Sequence, residues 1–132
     1  GLWLDAAGFA LEGTATNLFA VFAGPDGTSV MTAPTSAPIL PGTARARALA
    51  CLHRMASDSQ HLATDGDARV AAPITVLERA PHRDQLRLAS ELFATSATLP
   101  VAPVRHLDGA PVGPQNDEGP VTRALRIALS RD

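Results

Sequence analysis

Short apolar runs separated by turn-forming residues fill the first quarter of the chain. Residues 2–5 and 9–12 are apolar runs on either side of an Ala-Ala-Gly turn, which predicts a β-hairpin. The continuous apolar run over residues 18–22 is typical of a strand that is covered on both faces. A Gly-Pro-Asp-Gly turn follows at residues 24–27, and residues 29–32 are expected to pair back onto that strand.

Apolar residues then recur at helical spacing over residues 43–56, which predicts a helix there. Its apolar stripe consists of Ala44, Ala48, Leu49, Leu52 and Met55. The arginines that lie off this stripe are Arg45, Arg47 and Arg54. Two further helices are predicted over residues 82–90 and 120–131, and the last one opens on a proline and carries an apolar stripe of its own.

Extended segments alternate with these helices. Strands are predicted over residues 92–95 and 70–77, although a proline weakens the second prediction. Residues 99–107 are also expected to be extended, and Asp108-Gly109 then predicts a hairpin turn. The order strands, helix, strand, helix, strands, helix predicts an α+β (mixed α/β) fold. A length of 132 residues suits one domain with a single core.

Composition and charge exclude several classes of function. The net charge of -2 gives no electrostatic reason to expect nucleic acid or an acidic membrane surface as a partner. The longest apolar runs are far shorter than the roughly 20 residues that a membrane span needs. Cys51 is the single cysteine, so neither an intrachain disulfide nor a cysteine zinc site is predicted. We therefore expect a soluble cytoplasmic protein that binds neither nucleic acid nor membrane.

The four histidines and the cysteine receive structural interpretations. His82 stands beside a proline at a predicted helix start, where it is expected to cap the helix. The histidines expected to be solvated or exposed are His53, His61 and His106. No pair of histidines shares a metal-ligand spacing with a carboxylate, so no metal site is predicted. Cys51 is on the apolar side of its helix and is expected to serve packing.

Three segments at element boundaries combine small residues with hydroxyl groups, namely residues 12–17, 40–45 and 95–100. Helix starts and turns of small residues expose unpaired backbone N–H groups, and these suit a phosphate. The residues alone leave alternatives open: Thr43 is also a normal helix cap, and the third segment is equally a tight turn. Glu12 needs a partner, because a carboxylate between two apolar runs is rarely buried alone.

The order and spacing of four segments resemble the class IV aminotransferase family. The segments are WLDAAGFALEGTATNLF (residues 3–19), LPGTARARAL, FATSATLPVAPVRHLDG and GPVTRALRIAL, and they run over nearly the whole chain. This family uses pyridoxal phosphate, and it includes branched-chain and D-amino-acid aminotransferases and 4-amino-4-deoxychorismate lyase. The resemblance implies that residues 1–132 form one domain, the C-terminal cofactor-binding domain of the D-amino-acid aminotransferase-like fold.

The resemblance also implies which residues bind the cofactor. Glu12 would lie beside the pyridine nitrogen, where its charge favours the protonated pyridinium. The residues implied at the phosphate are Gly42, Thr43, Ala44, Ser96, Ala97 and Thr98, of which Ala97 and Thr98 are also implied in binding substrate. Two of these depart from the family pattern, because Ala44 and Ala97 stand where members usually have a hydroxyl group. Asn17 matches a family asparagine that is expected to brace the turn.

No catalytic residue is expected within this chain. All eleven basic residues are arginine, whereas the family forms a Schiff base through a lysine that precedes the glutamate motif. A composition rich in Ala, Arg, Gly and Pro would also explain the missing lysine. We expect a fragment, inactive alone, without the N-terminal small domain and the lysine strand. The full-length protein is expected to be a homodimeric aminotransferase acting on an amino acid and a 2-oxo acid; an aminodeoxychorismate lyase and a non-catalytic α+β binding module are the alternatives.

Overall fold

Eleven strands and three helices make up the part of the chain that this computed structural model describes, which is residues 2–4, 6–13, 16–36, 42–57, 63–64, 68–69 and 73–130. The strands are β1 (Leu2–Leu4), β2 (Ala10–Gly13), β3 (Thr16–Gly24), β4 (Gly27–Met31), β5 (Ala63–Thr64), β6 (Ala68–Arg69), β7 (Ile74–Leu77), β8 (Glu91–Thr95), β9 (Ala102–Val104), β10 (His106–Leu107) and β11 (Ala110–Pro111). The helices are α1 (Thr43–Ser57), α2 (Arg83–Leu86) and α3 (Pro120–Ser130). The mixed α/β class is therefore as predicted.

Strand β3 lies at the centre of a seven-stranded sheet. One of its edges pairs with β2 and then with β4, and the other edge pairs with β8. The sheet continues to β1 beside β2, to β7 beside β4 and to β9 beside β8. Among these described pairings, β4 with β7 is parallel and the others are antiparallel. Two short hairpins, β5–β6 and β10–β11, lie outside this sheet.

Both faces of β3 are buried, as the continuous apolar run predicted. Phe19 and Val21 pack on the face that carries α1 and α3, where Phe19 stacks on Phe93 with ring centroids 4.9 Å apart. Leu18 and Ala20 pack on the opposite face, together with Leu86 of α2. Alternate residues of β3 therefore belong to two different parts of the core.

The predicted turns and helical stripes are confirmed in the described residues. The hairpins β1–β2 and β3–β4 form as expected. In the β10–β11 turn both Asp108 (φ 52°) and Gly109 (φ 78°) adopt positive φ, as a type I′ turn requires. The stripe residues buried in α1 and α3 are Ala48, Leu49, Leu52, Val121, Ala124, Leu125 and Leu129. None of the helices formed by these residues is both long and apolar enough to cross a membrane.

The helix predicted over residues 82–90 is much shorter. It ends at Leu86, because Leu88 and Ala89 donate to carbonyls only three residues back and Ser90 then donates to the Val21 carbonyl of β3 at 2.7 Å. The bond to the sheet turns the chain into β8 before a second helical turn can form. Likewise β7 begins at Ile74, and residues 70–72 of that predicted strand lie outside the described residues.

Most of the interpretations of single side chains are confirmed. His82 caps α2, because its ring accepts from the Asp84 N–H while Gln85 bonds back to the His82 N–H. His53 and His106 are exposed, and Cys51 is buried in the core; His61 lies outside the described residues. Arg45 was expected on the polar side of α1, and this is wrong, since only 4% of it is exposed.

Candidate functional site

One row of residues crosses four strands of the sheet at the start of β3. Trp3 pairs with Glu12, Glu12 with Asn17, and Asn17 with Thr95. Asn17 and Thr95 alternate with Phe19 and Phe93, so both side chains lie on the face that carries α1. The side chain of Glu12 is outside the described part of the chain. Its backbone nevertheless fixes where it stands: beside Asn17 and two strands from Thr95.

Helix α1 begins directly over this row. The Gly42 carbonyl accepts the first helical hydrogen bond, from the Ala46 N–H at 3.0 Å. A Cβ atom on Gly42 would lie only 2.7 Å from Oδ1 of Asn17, so the helix start and the asparagine are in close approach. The N–H groups of Thr43 and Ala44 come before that first helical donor, and they are therefore available to an anion.

A turn over residues 96–99 follows the other end of the row. The Ser96 N–H and hydroxyl both donate to the Leu99 carbonyl, at 3.2 and 3.0 Å, and the Leu99 N–H donates back to the hydroxyl at 3.1 Å. The hydroxyl of Ser96 is thus engaged inside the turn. Ala97 and Thr98 are exposed at its tip, and their N–H groups donate no hydrogen bond to the residues that the structure describes.

The predicted residues therefore converge on Asn17. Gly42 touches it from the helix above, Glu12 pairs with it on one side, and Thr95, which leads into the 96–99 turn, pairs with it on the other. Segments that are far apart in the sequence thus meet at one end of β3. Residues 14–15 and 40–41, which belong to the predicted segments, lie outside the described residues.

Two polar residues at this end of the sheet were not predicted from the sequence. Thr95 is 1% exposed, and within the described structure its hydroxyl has no hydrogen-bond partner. Arg45, in the first turn of α1, donates to the Ala33 carbonyl at 2.8 Å and to Glu78 at 3.0 Å. Alternation with Phe93 could have placed Thr95 inside, whereas the partner of Arg45 comes from a strand that no local pattern connects to it.

The charge around the start of α1 is positive. Its first turn contains no acidic residue, and the buried guanidinium of Arg45 adds its charge to the positive end of the helix dipole. Glu78 offsets part of this charge, but its side chain is half exposed to solvent. The arrangement favours an anion at the helix start.

A second buried charge belongs to the fold rather than to this site. Glu91 of β8 is 3% exposed, and its carboxylate accepts from the Val121 N–H at 3.0 Å and from the N–H and hydroxyl of Thr122, each at 2.8 Å. It therefore caps α3 from the sheet. On the exposed side of the same helix, the hydrogen bonds that Arg126 donates to Glu118 raise the pKa of the guanidinium.

Comparison with known proteins finds consistent similarities. A model of the family described as amino-transferase class IV matches residues 1–107. The branched-chain-amino-acid aminotransferase of Escherichia coli (strain K12) is 30% identical over 129 residues, which are 98% of this chain and 35% of that protein. A crystal structure of the Escherichia coli branched-chain amino acid aminotransferase superposes with a TM-score of 0.76 at 29% identity, covering 99% of this chain and 36% of that one.

Two other solved structures share the fold. A T.th. branched-chain amino acid aminotransferase, complexed with N-(5'-phosphopyridoxyl)-L-glutamate, superposes with a TM-score of 0.67 at 28% identity over 98% of this chain and 36% of that one. The 4-amino-4-deoxychorismate lyase from Pseudomonas aeruginosa gives a TM-score of 0.69 at 24% identity, over 100% and 40% of the two chains, which is a likeness of fold alone. The chain thus spans 35% to 40% of the length of these relatives.

Proposed function

The chain belongs to the class IV aminotransferase family, and on this premise we propose that it is the cofactor-binding part of a pyridoxal-phosphate-dependent aminotransferase. The complete protein would transfer an amino group from an amino acid to a 2-oxo acid. Branched-chain amino acids are the first substrates to test, because the Escherichia coli relative at 30% identity is named for them. The complete enzyme would be a cytoplasmic homodimer, which sedimentation of the purified protein tests.

The observation that carries this proposal is the convergence on Asn17. A cofactor with a pyridine ring at one end and a phosphate at the other needs two kinds of group at a fixed separation. The sheet register puts the Glu12 position beside Asn17, and the close approach of Gly42 puts the start of α1 against the same residue. These two positions come from separate motifs, and their meeting supports one ligand that engages both.

The residues present fit such a cofactor. The N–H groups of Thr43 and Ala44 would bind its phosphate at the positive end of α1. The loss of a side-chain hydroxyl at Ala44 leaves these backbone donors intact. At the 96–99 turn, the donors that remain are the N–H groups of Ala97 and Thr98 and the Thr98 hydroxyl, since Ser96 is engaged with Leu99. These would bind the phosphate or the substrate carboxylate.

Glu12 would hold a proton on the pyridine nitrogen, because a carboxylate a few ångströms away stabilises the charged form of the ring. When bound, pyridoxal phosphate supplies the electron sink that amino-group transfer requires. The lysine that anchors the cofactor and moves the substrate proton would come from another part of the full-length protein, since this sequence has none. The 132 residues alone are therefore expected to be inactive.

The test measures amino transfer from L-leucine to 2-oxoglutarate by the full-length protein and by its Glu12→Ala variant. Loss of the carboxylate is expected to lower kcat by about 100-fold or more, because the pyridine nitrogen loses the charge that keeps it protonated. Asp26→Ala, which removes an exposed carboxylate from the β3–β4 turn, serves as the control and keeps full activity.

The outcomes separate the alternatives. Wild-type activity in Glu12→Ala would show that the assigned role of Glu12 is wrong. Turnover of 4-amino-4-deoxychorismate without a 2-oxo acid would identify a lyase instead of an aminotransferase. A full-length protein that binds no pyridoxal phosphate would be a binding module that shares only the fold.

A further inference from the structure

We infer that Asn17 is a positioning residue: its side-chain carbonyl sets the distance between the start of α1 and the sheet row that contains Glu12. This inference rests on the proposed function, because the two ends that Asn17 would hold apart are those assigned to the phosphate and the pyridine ring. Asn17 would not take part in the chemistry. It would decide whether both ends of one rigid ligand can be engaged together.

Asn17 is firmly held. It is 6% exposed, and it pairs with Glu12 on one edge of β3 and with Thr95 on the other. Two residues further along the same face, Phe19 is fully buried and stacked on Phe93. The backbone of Asn17 therefore cannot move without moving three strands and an aromatic pair.

Gly42 is where the helix meets this fixed point. A Cβ atom at Gly42 would lie 2.7 Å from Oδ1 of Asn17 and 3.9 Å from its Cγ. Gly42 is not among the glycines with positive φ, so its backbone conformation is open to any residue. The close approach is thus the reason that a glycine is needed here.

A larger residue at position 42 would have to push α1 and the sheet apart. The displacement needed is a few tenths of an ångström, and it would fall on the N–H groups of Thr43 and Ala44, which follow Gly42 directly. A flexible ligand could absorb this shift, but a planar ring that is held at both ends cannot. Affinity for the phosphate-bearing form of the ligand should therefore depend on the pair Asn17 and Gly42 jointly.

The experiment compares the binding of pyridoxamine 5'-phosphate and of pyridoxamine, which lacks the phosphate, to the full-length protein. The variants are Gly42→Ala, Asn17→Ala and the double variant, at a temperature where all of them are folded. Gly42→Ala is expected to raise the Kd of pyridoxamine 5'-phosphate by roughly tenfold, while the Kd of pyridoxamine changes little. The double variant is expected to recover most of the loss, because removal of Oδ1 leaves space for the new methyl group.

Gly24→Ala is the matched control. It makes the same chemical change at a glycine of ordinary φ, where the new Cβ would meet nothing closer than the Gly27 carbonyl oxygen at 3.8 Å. It should leave both dissociation constants unchanged. The urea denaturation midpoint of the ligand-free protein gives a second readout: Gly42→Ala lowers it, and the effects of the two single changes are not additive.

The results that would overturn the inference differ from those that would overturn the proposed function. Gly42→Ala binding as tightly as wild type, or a double variant no better than Gly42→Ala, removes the role of Asn17 and leaves the proposed function standing. Additive effects on the denaturation midpoint contradict it in the same way. A wild-type protein that does not prefer pyridoxamine 5'-phosphate over pyridoxamine has no phosphate site at α1, and both ideas then fail.

Discussion

The starts of α1 and α3 are built alike but are completed differently. Each helix begins beside a glycine that lies against a buried polar side chain from the sheet, Gly42 against Asn17 and Gly119 against Glu91. At α3 that side chain is a carboxylate, which accepts the free N–H groups of the first turn. At α1 it is a neutral amide, and no acidic residue stands in the first turn.

The difference explains why only one of the two helix starts is a candidate binding site. A helix N-terminus attracts negative charge because its first N–H groups have no helical partner. Glu91 supplies that charge permanently at α3, so this end is closed by the protein itself. At α1 the neighbouring charge is the guanidinium of Arg45, which repels cations and favours an external anion. The same physical rule therefore produces a structural cap in one place and a phosphate site in the other.

The largest expected effect comes from removing the cap of α3. Glu91→Ala leaves the N–H groups of Val121 and Thr122 and a threonine hydroxyl buried without their acceptor, which we expect to cost about 3–5 kcal/mol of unfolding free energy. Urea denaturation of the variant measures this directly. Asp117→Ala, an exposed carboxylate beside the same helix, should change stability by less than about 0.5 kcal/mol and serves as the control. A Glu91→Ala loss below about 1 kcal/mol would mean that the cap is not what holds α3.

An intermediate effect is expected at Arg45. Arg45→Met keeps the apolar stem but leaves the buried Ala33 carbonyl without its donor, and should cost about 2 kcal/mol. Because the guanidinium also makes the start of α1 positive, the Kd for inorganic phosphate should rise by roughly fivefold. Arg54→Met, at the other end of α1 and exposed, should change neither quantity. Weaker stability with unchanged phosphate affinity would show that Arg45 supports the fold and not the anion site.

The sequence predicted those features that depend on local pattern. The hairpins, the doubly covered strand β3 and the apolar stripes of α1 and α3 follow from residue spacing, which acts over one or two turns of helix or strand. The family motifs also predicted Gly42 and the 96–99 turn as parts of one site. Their meeting at Asn17 was not predictable from spacing, because register between strands far apart in the sequence is set by tertiary packing.

Arg45 and the short helix α2 show the same limit. The helical pattern put Arg45 off the apolar stripe, but a buried cation is tolerated here because Glu78 and a carbonyl from other elements accept its hydrogen bonds. The pattern after Pro81 predicted a longer helix, but the bond from Ser90 to β3 ends it. In both cases a partner distant in sequence overrides the local preference.

The smallest expected effect compares two buried threonines, one at each helix start. Thr122 donates its hydroxyl to Glu91 at 2.8 Å, whereas the hydroxyl of Thr95 has no hydrogen-bond partner among the residues that the structure describes. Threonine and valine have nearly the same shape, so the two Thr→Val changes isolate the hydroxyl group. Thr122→Val should cost about 1–2 kcal/mol, and Thr95→Val should change the ligand-free stability by less than about 0.5 kcal/mol. If urea denaturation instead shows equal losses at both positions, the hydroxyl of Thr95 is bonded in the free protein, and the end of β8 is as fully satisfied as the start of α3.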